Sequence, residues 1–443
     1  MTVEEVDAQI AQWRRYVERH RALETADVDE LETHLRDQID ALERAGLSPD
    51  EGFLVAVQRL GRVDELSREF AREHSVRMWK QLVVGEPGRR PRNGLVLALA
   101  LAVVAAILVK LPALAGGDPL TTLRFAGPLV LAPLAAYFLV RRRSRGATIA
   151  VVAGIFAVVT AALAAYPFVM GGQTIVLAAI HAVVALWFAT GIAYADGAWR
   201  SDRARMDVIR FTGEWVVYYA LIALGGGVLT GLTLAVFGAI GLNVNAFVAE
   251  WMLPCGAAGA VVVAAWLVEA KQSVVENMAP VLTRVFTPLF TLLLLTLVVA
   301  AAVQRDLVAA DRNLLILFDI VLLVVLGLLL YALSSREPTS RATWFDRLQL
   351  LMLGSAVVVD VLVMIAVLAR IGAYGLTANK VAALGLNVIL LANLVYAGIL
   401  QWRFVRGRVP LGRLERWQTG YLPVFFAWSV AVVVVLPPVF AFG

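Results

Sequence analysis

The chain has 443 residues, of which 60% are hydrophobic, and its formal net charge is +5. A water-soluble domain is about 45–50% apolar, so this composition excludes an ordinary soluble protein. Charge is unevenly placed, because residues 1–88 carry 19 acidic and 12 basic residues whereas residues 89–443 carry 15 and 27. The two parts are therefore expected to lie in different surroundings.

Hydrophobic residues recur at helical spacing through residues 3–76, which predicts four short amphipathic helices. Ser48, Pro49 and Glu51 form a helix start signal, with serine as the cap, proline at the first helical position and glutamate at the third. We therefore expect residues 1–76 to form a small soluble all-α domain, near the lower size at which a core suffices alone.

Three segments of this region resemble the bacterial permease prefix domain: Glu30–Asp37, Ala45–Glu51 and Leu60–Phe70. That domain occurs ahead of permease-type membrane segments, including those of efflux systems, and in membrane-bound regulatory proteins. The resemblance implies a cytosolic accessory or sensing module with no catalytic residue, and it makes a protein partner conceivable. A domain that only aids folding or stability is the alternative.

Residues 77–93 are expected to form a basic juxtamembrane linker that suits anionic lipid headgroups. Apolar runs of about 18 residues or more then recur through residues 94–443, each long enough to cross a bilayer as a helix. The predicted transmembrane helical bundle has eleven spans: residues 94–114, 125–140, 147–169, 174–195, 214–240, 247–268, 281–303, 313–334, 348–369, 381–401 and 420–442.

Basic residues fall mostly between alternate spans, which is the pattern of the positive-inside rule. With the N-terminus inside, eighteen of them lie in inner loops: Arg141, Arg142, Arg143, Arg145, Arg200, Arg203, Arg205, Arg210, Lys271, Arg284, Arg336, Arg341, Arg347, Arg403, Arg406, Arg408, Arg413 and Arg416. Five lie in outer loops: Arg124, Arg305, Arg312, Arg370 and Lys380. The bias predicts a cytoplasmic N-terminal domain, an outer C-terminus and anionic lipids at the inner basic loops.

The predominance of arginine over lysine is typical of a GC-rich bacterial genome. We therefore expect a multi-pass protein of the bacterial plasma (inner) membrane, in contact with the lipid bilayer. No nucleic-acid partner is expected.

Polar residues inside the later spans are candidates for function, because an ionisable group in hydrocarbon is costly. Asp319 lies in the eighth span, Asp360 near the centre of the ninth, and Asn387 and Asn393 in the tenth. If these helices are neighbours, Asp319 and Asn387 form an outer polar layer, and Asp360 and Asn393 a deeper one. Two interpretations stay open: a cation or proton path through the carboxylates, or interhelical hydrogen bonds that hold the bundle together.

The turn between the ninth and tenth spans holds a second candidate site, formed by Arg370, Tyr374, Thr377 and Lys380. Gly375 is expected to supply an unusual backbone angle there, and Thr377 to cap the tenth span. A structural role for this turn is the alternative to ligand binding.

This turn also carries a second resemblance, together with Glu276–Pro280 and Thr287–Phe290. The three segments are similar to a family of polytopic bacterial membrane proteins with no assigned function. The resemblance implies a shared membrane fold and names no activity.

Glycines are concentrated in the fifth span, at Gly225–Gly227 and Gly231. The spacing of Gly227 and Gly231 predicts close packing against another helix. Three adjacent glycines could instead break the helix, as in some transporters.

No P-loop, H-E-x-x-H motif or cluster of histidine and cysteine occurs in the sequence, and Cys255 is its one cysteine. We therefore expect no enzyme activity, cofactor or metal site. The function that the sequence favours is a permease-like or transporter-like membrane protein with a cytosolic accessory domain. A membrane-anchored sensor or regulatory protein, signalling through its N-terminal helices, is the alternative.

Overall fold

In the computed structural model, the described residues are 9–11, 14, 25–44, 47–48, 53, 55–57, 92–169, 171–270, 278–304, 312–336 and 338–443. They contain helices and turns but no strand, as expected for an all-α fold. The chain divides into two compact units, Met1–Arg90 and Pro91–Gly443.

The first unit contains helix α1, Thr25–Arg44. Its apolar positions repeat at helical spacing and join a small core with the flanking described residues. The buried residues of that core are Ile10, Leu35, Ile39, Leu42 and Ala56. The four-helix arrangement expected for residues 1–76 stays a prediction, because many of its residues, including all of Leu60–Phe70, lie outside the described ones.

Glu32 of α1 forms ion pairs with two arginines, Arg14 at 2.6 Å and Arg36 at 3.0 Å. The hydrogen bond from Arg14 is the main cause that holds the pKa of Glu32 below its usual value of 4.5. The charged form of this carboxylate is thus stabilised in the folded first unit.

The described residues of the second unit lie mainly in long helices. They are α2 (Arg92–Leu108), α3 (Pro119–Arg141), α4 (Gly146–Ala165), α5 (Gln173–Tyr194), α6 (Asp202–Ala239), α7 (Leu253–Ala270), α8 (Met278–Gln304), α9 (Arg312–Ser334), α10 (Trp344–Tyr374), α11 (Ala378–Val405) and α12 (Leu411–Val434). Short helical turns extend α2 to Leu114 and precede α7 from Asn245. Eleven helices of the described residues are long and apolar enough to cross a membrane, which confirms the expected span number.

Two helices with charged N-terminal segments start well before the apolar runs that predicted them. Helix α6 begins at Asp202 rather than near residue 214, and α12 begins at Leu411 rather than near residue 420. Both added segments are rich in charge, and a helix can continue into water where an apolar run stops. Helix α12 also ends early, because Pro437 follows in a separate short helix and cannot donate a backbone hydrogen bond.

Consecutive spans alternate in direction, so the bundle has two ends. The basic side is the end that carries Arg141, Arg210 and Arg403, and the turn side is the end that carries the turn from Tyr374 to Ala378. The exposed apolar side chains between the two ends contact the lipid bilayer.

Two hydrophobic clusters organise the bundle. The first lies among α2–α5 and α7, and the second among α8–α11. Helix α6 joins both, because Phe211 belongs to the first cluster and Met206 to the second. Helix α12 does the same with Val433 and Leu414. These two helices therefore connect the halves of the bundle.

Close helix packing occurs at a different glycine from the predicted ones. Helix α6 runs unbroken through Gly225–Gly227, and side chains added there or at Gly231 would meet open space within the described chain. The prediction of a broken helix is therefore wrong, and no described residue packs closely against these glycines. At Gly385 of α11, by contrast, an added Cβ would overlap the Trp428 ring of α12.

We expect Gly385→Ala to destabilise the second unit by about 1–3 kcal/mol, because the added methyl group forces α11 and α12 apart. Gly398→Ala is the matched control on the same helix, since nothing lies within 4 Å of a Cβ at that position. Thermal unfolding in detergent measures both. Equal melting temperatures for the two variants would contradict the close contact.

Acidification should loosen the first unit. Because the folded pKa of Glu32 is lowered, its stabilisation is present above about pH 4.5 and is lost as the pH falls through the folded value. Protection factors from amide hydrogen exchange in α1 of the full-length protein should fall between about pH 6 and about pH 3. Glu32→Gln should show a smaller fall; an identical fall in the variant would rule out this carboxylate as the cause.

Candidate functional site

Three adjacent helices bring the candidate polar residues of the second cluster together. Asp319 lies on α9, Asp360 on α10 and Asn387 on α11, and each of these helices packs against the other two. Asp360 and Asn387 are fully buried, at 0% exposure. The Asn387 amide faces the Asp319 carboxylate, and Asp319 is the charged neighbour of Asp360. We call these three residues the acid cluster.

Asp360 is buried without a hydrogen-bonding partner among the described residues. Neither of its carboxylate oxygens accepts a hydrogen bond from a described residue. Val359 precedes Asp360 in sequence, and Val363 lies about one turn further along α10. Both are buried members of the hydrophobic core. Desolvation of a carboxylate without a compensating hydrogen bond is strongly unfavourable for the charged form.

The other two members of the acid cluster are also incompletely bonded. Asn387 donates from Nδ2 to the Ala383 carbonyl at 2.9 Å, within its own helix. Its buried Oδ1 accepts no hydrogen bond, and neither does the buried Oδ1 of Asp319. The acid cluster therefore retains unused acceptor atoms in the interior of the membrane span.

Ion pairs with the described residues do not neutralise the two aspartates. Lys380 is the basic residue of α11 nearest in sequence to Asn387. It donates instead to the carbonyls of Arg370 at 3.0 Å and Gly375 at 2.7 Å. Its ammonium group caps the carbonyl end of α10 and is committed to the turn.

Asn393 lies apart from the acid cluster. It exchanges two hydrogen bonds of 3.2 Å with Gln418 of α12, and both side chains are buried. Gln418, rather than Asp360, is therefore the partner of Asn393, and the expected deeper layer is wrong on this point. The two asparagines are six residues apart, so they face different neighbours around α11.

The turn between α10 and α11 places all four residues of the second candidate site close together. Gly375 has φ +71°, as expected for a position that favours glycine. Thr377 caps α11 by accepting from the Lys380 backbone N–H at 3.4 Å. The Lys380 ammonium lies 5.5 Å from the centre of the Tyr374 ring. These contacts are local ones that stabilise the turn, and Arg370 contributes its carbonyl oxygen to them.

A buried acid on the basic side shows how a structural carboxylate is bonded in this protein. Asp346 is 0% exposed, and it accepts from the Thr343 backbone N–H at 2.6 Å and from the Thr343 hydroxyl at 2.8 Å. It is also ion-paired with Arg336. The acid therefore starts α10 with a capping box and is fully compensated, in contrast to Asp360.

The basic side also contains a polar cavity that sequence reasoning missed. It has a volume of about 760 Å³ and lies among α3, α5, α6 and α7. At its wall, Glu269 accepts from the Tyr137 hydroxyl at 2.8 Å and from Arg142 at 3.2 Å. The positive-inside pattern places Arg142 and Glu269 on the same side, but no spacing in the sequence pairs them.

Among the described residues, no group of three or more histidine, cysteine, aspartate or glutamate side chains could hold a metal ion. The acid cluster contains two carboxylates and one amide, which leaves it below that number. Its chemistry is that of a small set of desolvated oxygen atoms.

Comparison of the chain with protein-family models, with curated proteins and with solved structures finds no match. The fold and its polar sites therefore carry the functional argument by themselves. They define a polytopic helical membrane protein with an unpaired acid cluster in one half of its bundle.

The Asn393–Gln418 pair should couple α11 to α12. In a double-mutant cycle of Asn393→Ala and Gln418→Ala, we expect a coupling free energy of about 1 kcal/mol, typical of hydrogen bonds between membrane helices. Ser429→Ala is the control partner for Asn393→Ala, because Ser429 bonds to Phe426 within α12 and the two effects should add. A cycle with no coupling between Asn393 and Gln418 would contradict the pairing.

Proposed function

We propose that this chain is a permease-type transport protein of the bacterial inner membrane, in which Asp319 and Asp360 bind a transported or coupling cation or proton. The observation that carries the proposal is Asp360, fully buried with both oxygens unpartnered. An ionisable residue inside a span is a functional candidate by default, since it is costly to keep.

The bonding of Asp360 weakens the structural alternative. A carboxylate that held helices together would accept hydrogen bonds across an interface, as Asn393 and Gln418 do. Asp360 makes no such bond to a described residue, whereas Asp346 is compensated by Thr343 and Arg336. The free energy spent on burying Asp360 is thus not returned as helix association.

The basic side faces the cytoplasm in this proposal, following the positive-inside rule. Its arginines bind anionic lipid headgroups, and Arg143 and Arg406 are exposed there. The first unit is then a cytosolic accessory domain of the permease prefix type. Its separation from the membrane unit as a compact body supports this division of labour.

The same separation favours a second function, that of a membrane-anchored regulator. In that case, the first unit binds a protein partner in the cytosol, and the acid cluster has no transport role. Proton or cation flux through the purified protein distinguishes the two functions.

Proteoliposomes with an internal pH dye and imposed proton, sodium or potassium gradients provide the test. We expect the wild-type protein to dissipate at least one gradient and Asp360→Asn to reduce this flux to the level of protein-free liposomes. Asp319→Asn should reduce it as well.

Asp118→Asn is the matched control, because Asp118 caps α3 outside its span and asparagine is an equally good cap. Its flux should equal that of the wild type. Absence of flux under every gradient, with a protein that remains folded, would exclude the proposed function and leave the regulator.

A further inference from the structure

The number of oxygen ligands limits which ion the acid cluster can bind. Calcium and magnesium ions take about six or more oxygen ligands. In transporters, sodium sites draw backbone carbonyls from unwound helix segments. Here the side chains provide two carboxylates and the one unused amide oxygen of Asn387. A dehydrated metal cation would be poorly coordinated by this set.

The backbone around the acid cluster supplies no further ligands. Helices α9, α10 and α11 run unbroken past Asp319, Asp360 and Asn387. Their carbonyl groups at this depth are committed to intrahelical hydrogen bonds. The discontinuous helices that expose carbonyls to an alkali cation are therefore absent from this part of the described bundle.

We propose that the ion bound here is a proton, held by Asp360, with Asp319 as the acid that it meets on the way from the turn side. This inference rests on the proposed function and names its ion. A proton needs a single oxygen atom, and a neutral carboxyl group tolerates the apolar surroundings of Asp360. A negative charge on Asp319 repels a second negative charge on Asp360 in a low dielectric, which adds to the preference for a proton on Asp360.

The other charged residues of the helices packed against α10 lie away from the two aspartates. The helices packed against α10 are α8, α9 and α11, and Asp319 is the charged residue that they bring to Asp360. The remaining charged residues of these four helices lie towards the helix ends: Arg284, Arg312, Lys380, Arg403, Asp346, Arg347 and Arg370. The acid cluster contains no cation that would favour two ionised carboxylates.

The different depths of Asp319 and Asp360 in the bundle give proton movement a direction. Asp319 lies about 10 Å along α9 from its turn-side end, and Asp360 lies about 21 Å along α10 from the same side. A proton that arrives from the turn side meets the Asp319 carboxylate first. The two carboxylates make no direct hydrogen bond, so transfer requires α9 and α10 to shift until they do. The step then breaks the O–H bond at Asp319, forms one at Asp360 and returns the negative charge to Asp319, so the total charge is unchanged.

Infrared spectroscopy of the full-length protein in lipid nanodiscs tests this inference without requiring transport. A neutral carboxyl group gives a C=O stretching band that a carboxylate lacks. We expect such a band at neutral pH, its loss at alkaline pH and its loss in Asp360→Asn. The band should be unchanged when sodium replaces choline, and Asp118→Asn should retain it.

Labelling of the wild-type protein with a hydrophobic carbodiimide, located by mass spectrometry, gives a second readout in case Asp360→Asn fails to fold. The reagent attacks protonated carboxyl groups, so Asp360 should be labelled at neutral pH and unlabelled at alkaline pH. Labelling should be the same in sodium and in choline.

Absence of the band and of labelling at neutral pH would overturn the proton assignment, as would their loss on addition of sodium. Sodium-driven flux with such a loss would leave transport standing and refute the proton. A neutral carboxyl group without any flux would keep the proton site and refute transport.

Discussion

The cost of an unpaired polar group in hydrocarbon governs this structure from the backbone to single side chains. Long helices bond their own backbone, and cationic side chains complete the carbonyl ends. Lys380 bonds the end of α10, and Arg210 bonds the Ser334 carbonyl at the end of α9. Lys110 reaches the Glu250 carbonyl at 2.5 Å, in the short π-helical segment Val248–Met252 that precedes α7.

Against this background, the acid cluster is an exception among the buried carboxylates. Some buried polar side chains elsewhere in the described spans lack partners, such as the Thr287 hydroxyl and the Trp428 indole nitrogen, but these groups are uncharged, and Asn393 finds Gln418. Asp360 does not, although its helix provides a well-bonded acid, Asp346, a few turns away. The contrast between these two aspartates distinguishes a carboxylate whose hydrogen bonds stabilise the fold from one that makes no stabilising hydrogen bond. A group of the second kind is available to take up and release a proton.

Hydropathy and charge predicted the spans because both depend on the bilayer, which imposes the same constraint on every span. The helix ends were less predictable, since the charged starts of α6 and α12 continue beyond the apolar runs. The sequence indicated Asp319, Asp360 and Asn387 as polar residues at similar depths, but pairing depends on the rotation of each helix about its axis. Gln418 was missed as a partner because it precedes the apolar run of α12. Glu269 was missed because a glutamate at the end of a span is expected to be solvated, and the sequence alone does not distinguish it from a paired one.

The contact between α11 and α12 limits how this half of the bundle can move. Trp428 fills the space above Gly385 near the turn side, and Gln418 bonds Asn393 nearer the basic side. Sliding or rolling of one helix on the other would break the ring contact, the amide pair, or both. The two helices must therefore travel as a single rigid body. Asn387 moves with that body. A rearrangement at the acid cluster therefore consists of α9 and α10 shifting relative to α11 and α12.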